Sequence, residues 1–174
     1  TVDSWLKNST EFEVVGHKGS LLAVGRGGQV TGNPVDVFIF DDLYKGVGEG
    51  NSPTIRSSIT EWYESEAEKR LHNLSQQLVV FTRWHPDDLI GYFEKNSTVI
   101  EVGSHEEIDK ALTDDPDVWI KLNFEAIKDS PKTDFDQREM GEALWEDRHK
   151  IGKHLKDKKK NRYLFSCMSQ GKPG

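Results

Sequence analysis

The sequence predicts an α/β domain with a largely parallel sheet, and three observations carry that prediction. VDVFIF (35–40), apolar but for Asp36, and LVVFT (78–82), apolar up to Thr82, are runs of the form taken by strands covered on both faces. Between them, Ile55, Ile59, Trp62, Tyr63, Ala67 and Leu71 recur at helical spacing, with Glu and Lys on the other faces. Strand-like and helix-like segments then alternate along the chain, the signature of β–α–β units.

Taken in order, EFEVVG (11–16) and LLAVG (21–25) are short strand-like runs separated by HKGS, a hairpin signal. GRGGQVTGNP is a Gly-rich loop and LYKGVGEGNSPT a second flexible loop, on either side of VDVFIF. Ser52 and Pro53 suit the start of a helix that runs from Ile55 to about Asn73. After LVVFT, Pro86 starts another helix, with Asp87 and Asp88 favourable in its first turn. STVIEV (97–102) and VWIKLNFEAI (118–127) read as strands, the second leaving the sheet. From Ser130 onward the pattern is loop followed by one or two helices, and a composition shift there marks a possible subdomain boundary.

The 174 residues suffice for one domain, or a domain with a small subdomain. No apolar run approaches the ~18 residues of a membrane span. The single cysteine, Cys167, excludes an internal disulfide and fits a reducing compartment. A net charge of −7 argues against a surface that is basic throughout. Yet eight of the 23 Lys and Arg fall within 148–162, beside one of the 30 Asp and Glu. That segment is either a solvated helix face or a contact for a polyanion or an acidic partner.

The run VDVFIF ends on Asp41 and Asp42. Adjacent carboxylates repel, so a neutralising partner is expected, and a metal ion at a strand end would serve. An apolar strand closing on Asp-Asp or Asp-Glu is the Walker B pattern, in which the first acid helps hold Mg²⁺ and the second orients the attacking water. A strand-to-turn junction capped by Asp explains the same residues equally well. Ligands of open α/β sheets sit at the carboxyl ends of strands, so Asp41, Asp42 and Thr82 are expected to meet across one crevice. His85 and His105 lack the neighbours that a zinc site needs.

VGRGGQVTGNPVDVFIFDDLYK, TEWYESEAEKRL, QQLVVFTRWHPDDLIGYFEK and GEALWEDR occur in that order. Together they resemble the ATPase region of large terminase subunits of tailed bacteriophages, over roughly residues 20 to 173. The resemblance implies a partial P-loop (RecA/ASCE-like) core over residues 1–129 and a small helical lid over 130–174 that leads towards a nuclease domain. Asp41 would be the Mg²⁺-side acid of an ATP site, and Asp42 would stand where many members carry a catalytic Glu. Thr82 would belong to the motif coupling hydrolysis to movement on DNA. Arg26 would be the arginine finger, with Arg83 and Arg56 as weaker alternatives. Trp145 is expected in the lid core. The implied parent is an ATP hydrolase that packages double-stranded DNA into procapsids. It would work as a homo-oligomeric ring with a portal protein and a small terminase subunit, in the host bacterial cytoplasm and away from membranes.

The chain lacks any G-x-x-x-x-G-K-[ST] loop. By the resemblance that loop belongs upstream of Thr1, so the piece is expected to be inactive alone and to leave a sheet edge open to self-association. Two other readings remain: a different P-loop DNA motor such as a helicase, or a non-catalytic prophage remnant that serves as an interaction module.

Overall fold

The computed structural model describes residues 10–13, 16–28, 30 and 34–174. It is a mixed α/β structure of two compact units. The first joins the described residues up to Phe38 to Glu61–Gln77, and the second joins Ile39–Thr60 to Leu78–Gly174. The expected boundary at 129/130 falls inside the second unit.

In the first unit, β1 (Glu11–Glu13) and β2 (Ser20–Leu22) form the expected antiparallel hairpin, with Phe12 opposite Leu21. The helix α2 (Pro53–Trp62) reaches this unit at Glu61 and widens into a π turn over Tyr63–Ala67. It then tightens into a 3₁₀ turn over Glu68–Arg70. Tyr63 and Ala67 are buried, Phe38 meets Trp62 edge-on at 6.4 Å, and the Tyr63 hydroxyl donates to Gln77 Oε1 (3.1 Å). The helix therefore stops about three residues short of the expected Asn73. From Leu71 the chain is extended, because a strand partner is at hand: the Ser75 hydroxyl donates to the Val35 carbonyl (2.5 Å).

Two strands are shared between the units: β3 (Val35–Asp41) and β4 (Leu71–Val80), which pair with each other. Val35 lies beside Ser75 at one end, and Asp42 N–H donates to Val80 O (3.1 Å) at the other, so the strands run parallel. The expectation that VDVFIF is covered on both faces needs correction. Phe40 is buried and Phe38 partly so, but Val37 and Ile39 are each 54% exposed. On β4, Leu78 and Val80 are about as bare. Among the described residues the strands form three two-stranded sheets and not one continuous sheet, and these four side chains each keep about half of their surface in solvent.

In the second unit, Gly46 at φ 104° opens a short helix, α1 (Val47–Asn51), where only loop was expected. Ser52 ends α1 and starts α2, as the Ser-Pro signal suggests; its carbonyl accepts from Arg56 N–H (3.0 Å). α3 (Leu89–Asn96) begins three residues after Pro86, because Asp88 and not Pro86 sets its start. β5 (Val99–Glu101) and β6 (Trp119–Lys121) pair in parallel, Ile100 opposite Ile120. Between them runs α4 (His105–Asp114), a helix the periodicity reading missed. Ser104 caps it by accepting from Glu107 N–H (3.2 Å), while the Glu107 carboxylate accepts from the N–H of Gly103, one residue before the cap (2.6 Å), a bond shifted by one residue from that of a capping box.

The core of the second unit is Phe40, Leu43, Tyr44, Ile59, Leu89, Phe93, Phe165 and Cys167, with Phe93 stacked on Trp119 at 4.3 Å. Each such large side chain contributes about 1.5–3 kcal/mol by leaving water. The chain ends in α5 (Ile151–Lys160) and α6 (Arg162–Gln170). Gly171 closes α6 in the left-handed conformation (φ 66°), where a Cβ would lie 2.3 Å from Asn123 Oδ1.

Candidate active site

The end of β3 is an abrupt change of environment. Asp41 and Asp42 are both exposed, and the next two residues, Leu43 and Tyr44, are buried. Tyr44 anchors the turn from below. Its ring lies 5.5 Å from that of Phe81, and its hydroxyl accepts Leu89 N–H at 3.0 Å. The acids are thus held out on a fixed stalk.

Asp42 adopts φ 47°, the one left-handed non-Gly residue among the described residues. Asp and Asn tolerate this conformation better than most residues, but it still costs about 1 kcal/mol or more. Its amide is bonded to Val80 O, two residues before Thr82. The ladder therefore brings the acid pair and the partly buried Thr82 to the same end of the parallel strands. Among the described residues neither carboxylate enters an ion pair, and the left-handed turn at Asp42 is equally what a strand-to-turn junction would show.

Arg26 is exposed in the turn after β2 and belongs to the first unit, whereas Asp41, Asp42 and Thr82 belong to the second. The two other arginines bind groups of their own unit. Arg56 donates to the Gly50 carbonyl (2.7 Å). Arg83 is buried, holding Asp88 through Nε (2.8 and 3.0 Å) and Glu94 through Nη1 (3.5 Å).

Asp88 organises the segment that follows β4. It is fully buried and also accepts from Trp84 N–H (3.2 Å) and Gly91 N–H (3.0 Å), so one carboxylate caps α3, neutralises Arg83 and fixes the TRW turn. Gly91 packs so tightly there that a Cβ would lie 1.7 Å from Pro86 O. The Trp84 carbonyl accepts from the Tyr163 hydroxyl (3.1 Å), and Gly50 packs against Trp84. The Arg–Asp clamp went unrecognised in the sequence, although the motif that contains it, FTRWHPDDL, was singled out.

A cavity of about 320 Å³ between α2 and α3 is lined by Arg56, Ser57, Thr60, Asp87, Tyr92 and Lys95, among others, and by none of the expected site residues. His85 accepts from Asp87 N–H (3.0 Å), and His105 packs edge-on against Phe135 (4.9 Å). Among the described residues no group of three or more His, Cys, Asp or Glu could hold a metal.

A second polar constellation ties the end of the chain down. Asp136, buried, receives Arg138 Nε and Nη2 (2.9 and 2.7 Å) and Lys128 Nζ (3.0 Å). Arg138, and then Lys128, hold its carboxyl far below the ordinary value of 3.8 against the opposing effect of burial. Glu125 is also buried. Burial raises its pKa, but bonds from Lys172, Asp129 N–H and the Ser130 hydroxyl together outweigh that and lower it. Gln170 pairs with the Ile127 backbone in both directions (3.0 and 2.9 Å), like an extra strand rung. Trp145, expected in the core, is 58% exposed. Ala143 occupies the buried place opposite Ile127, and Trp145 stands in the turn before α5, its carbonyl accepting from Arg148 N–H (3.0 Å).

No protein-family model matches the chain, and no curated protein or solved structure matches it. Among the described residues no helix is long and apolar enough to cross a membrane.

Proposed function

We propose that this chain is part of the ATPase domain of a phage large terminase subunit, the later portion of a P-loop core. One observation carries the reading: the Asp42 N–H bond to Val80 O. It sets two exposed carboxylates and Thr82 at one end of a parallel strand pair, where α/β proteins bind ligands. The left-handed backbone of Asp42 supports it, because such costs are retained where a side chain must be aimed.

The donor set fits the acid half of a Mg²⁺–ATP site. Mg²⁺ keeps several waters and takes one or two carboxylates together with substrate phosphates, and Asp41 with Asp42 offers that and no more. Asp41 would hold the ion, and Asp42 would orient the attacking water by accepting its hydrogen bond. Thr82, at the neighbouring strand end, would report the state of the terminal phosphate to the clamped TRW turn behind it. Arg26 would serve as the arginine finger. Bound Mg²⁺ would offset the charge that phosphoryl transfer develops. The phosphate-cradling half has no counterpart among the described residues and would come from an upstream segment. The parent would act in the host bacterial cytoplasm on double-stranded DNA, as a ring with a portal and a small terminase subunit.

The test is phosphate release from ATP with Mg²⁺ and DNA. The chain extended upstream in its native reading frame should turn over, and the same protein with Asp41→Ala should not. A silent extended protein overturns the proposal.

A further inference from the structure

The basic segment 148–162 becomes α5 and its flanks, and all eight of its Lys and Arg are exposed. Among the described residues none of the eight enters an ion pair. Most of the other cations of the second unit are treated differently: of its ten other Lys and Arg, seven, Arg83, Lys95, Lys121, Lys128, Lys132, Arg138 and Lys172, each hold a carboxylate. A chain of net charge −7 has acids to spare, yet it leaves this helix uncompensated.

The helix has two faces. Ile151 and His154 are partly buried, and the His154 ring lies 6.3 Å from that of Phe165 on α6. Opposite them at 3.6 residues per turn stand Lys153, Lys156 and Lys160. The helix dipole favours Lys158, Lys159 and Lys160 in the last turn, but not Lys153 or the flanking Arg148 and Lys150. Asp157 is the single acid on the helix.

We propose that the outer face of α5 is a contact for the phosphate backbone of nucleic acid. Lys153, Lys156 and Lys160 span about 10 Å along the axis at 1.5 Å per residue, against a strand that carries one charge per about 3.4 Å. Lysine is depleted from the cores of protein–protein interfaces, and phosphate contacts are made chiefly by lysine and arginine. A row of lysines without interleaved apolar residues thus fits a nucleic acid better than an acidic protein. The proposal rests on charge and exposure and is independent of the ATPase reading.

The experiment is fluorescence anisotropy of a labelled 30-base-pair random-sequence duplex, titrated with the 174-residue chain without nucleotide, across 50–200 mM salt. Lys153→Gln/Lys156→Gln/Lys160→Gln is compared with a control, Lys18→Gln/Lys110→Gln/Lys132→Gln, and circular dichroism checks that both fold. Binding by the wild type should weaken linearly in log–log salt, and the α5 variant should lose about 2–3 units of slope, at about 0.9 per phosphate contact. The control should keep its slope. Absence of binding at 50 mM salt, an unchanged slope in the α5 variant, or an equal loss in the control overturns the proposal. So does binding of polyglutamate in place of the duplex, which would assign the face to an acidic protein.

Discussion

The guanidinium of Arg83 and the carboxylate of Asp88, five residues apart, are joined at 2.8 and 3.0 Å, with both side chains buried. A buried charge left without its partner is costly. Arg83→Ala should therefore lower stability by about 3–5 kcal/mol, read as a shift in the urea midpoint with an unchanged slope. A loss under about 1 kcal/mol would mean that the pair is solvated.

Gly91 offers a second probe of the same turn. A methyl there meets the Pro86 carbonyl, which is backbone and cannot rotate away. Gly91→Ala should destabilise by about 1–3 kcal/mol, although alanine is the better helix former. Thermal unfolding would show it, and a more stable variant would refute the tight approach.

Asp42 separates strain from chemistry. Asp42→Gly should match or slightly exceed the wild type in stability, and Asp42→Ala should fall about 1 kcal/mol below it, because glycine alone adopts φ 47° without steric cost. In the upstream-extended protein both substitutions should abolish phosphate release. Full activity in Asp42→Gly would remove the carboxylate from the mechanism.

Asp136 sets an acid limit. Its folded pKa lies below the unfolded value, so its contribution is complete above the ordinary 3.8 and is lost as pH falls through the folded value. Urea midpoints should hold from neutrality to about pH 5 and then decline. Asp136→Asn should start lower at pH 6 and decline less below pH 4. Parallel curves for the two proteins would contradict the assignment.

The bare face of the β3–β4 pair should matter little to folding and more to association. Ile39→Thr with Leu78→Thr should change stability by no more than about 0.5 kcal/mol per site, because both side chains are already about half exposed. If that face drives self-association, sedimentation velocity should show less of it in the variant.

Local signals were legible where one residue type permits one backbone solution. The β1–β2 hairpin, the Ser52–Pro53 helix start and the strand ending in Asp41–Asp42 all follow from short-range chemistry. Ser104 and Glu107 carried an equally local signal for α4, overlooked because its apolar stripe is thin. Burial was not legible. Val37 and Ile39 are apolar whatever covers them, and only the partners present decide whether they face protein or solvent. Trp145 misled for the same reason.

By itself, then, the sequence determined the α/β character, the acid pair at a strand end and the basic stretch that becomes α5, because each depends on the chemistry of neighbouring residues. The tertiary structure alone decided that Arg83 clamps Asp88 and not a ligand. It alone set Asp42 beside Val80, left one face of β3 bare and left the lysines of α5 without carboxylates. Those outcomes depend on which groups distant in the chain come within a few ångströms, and hydrogen bonds and ion pairs are decided at that distance.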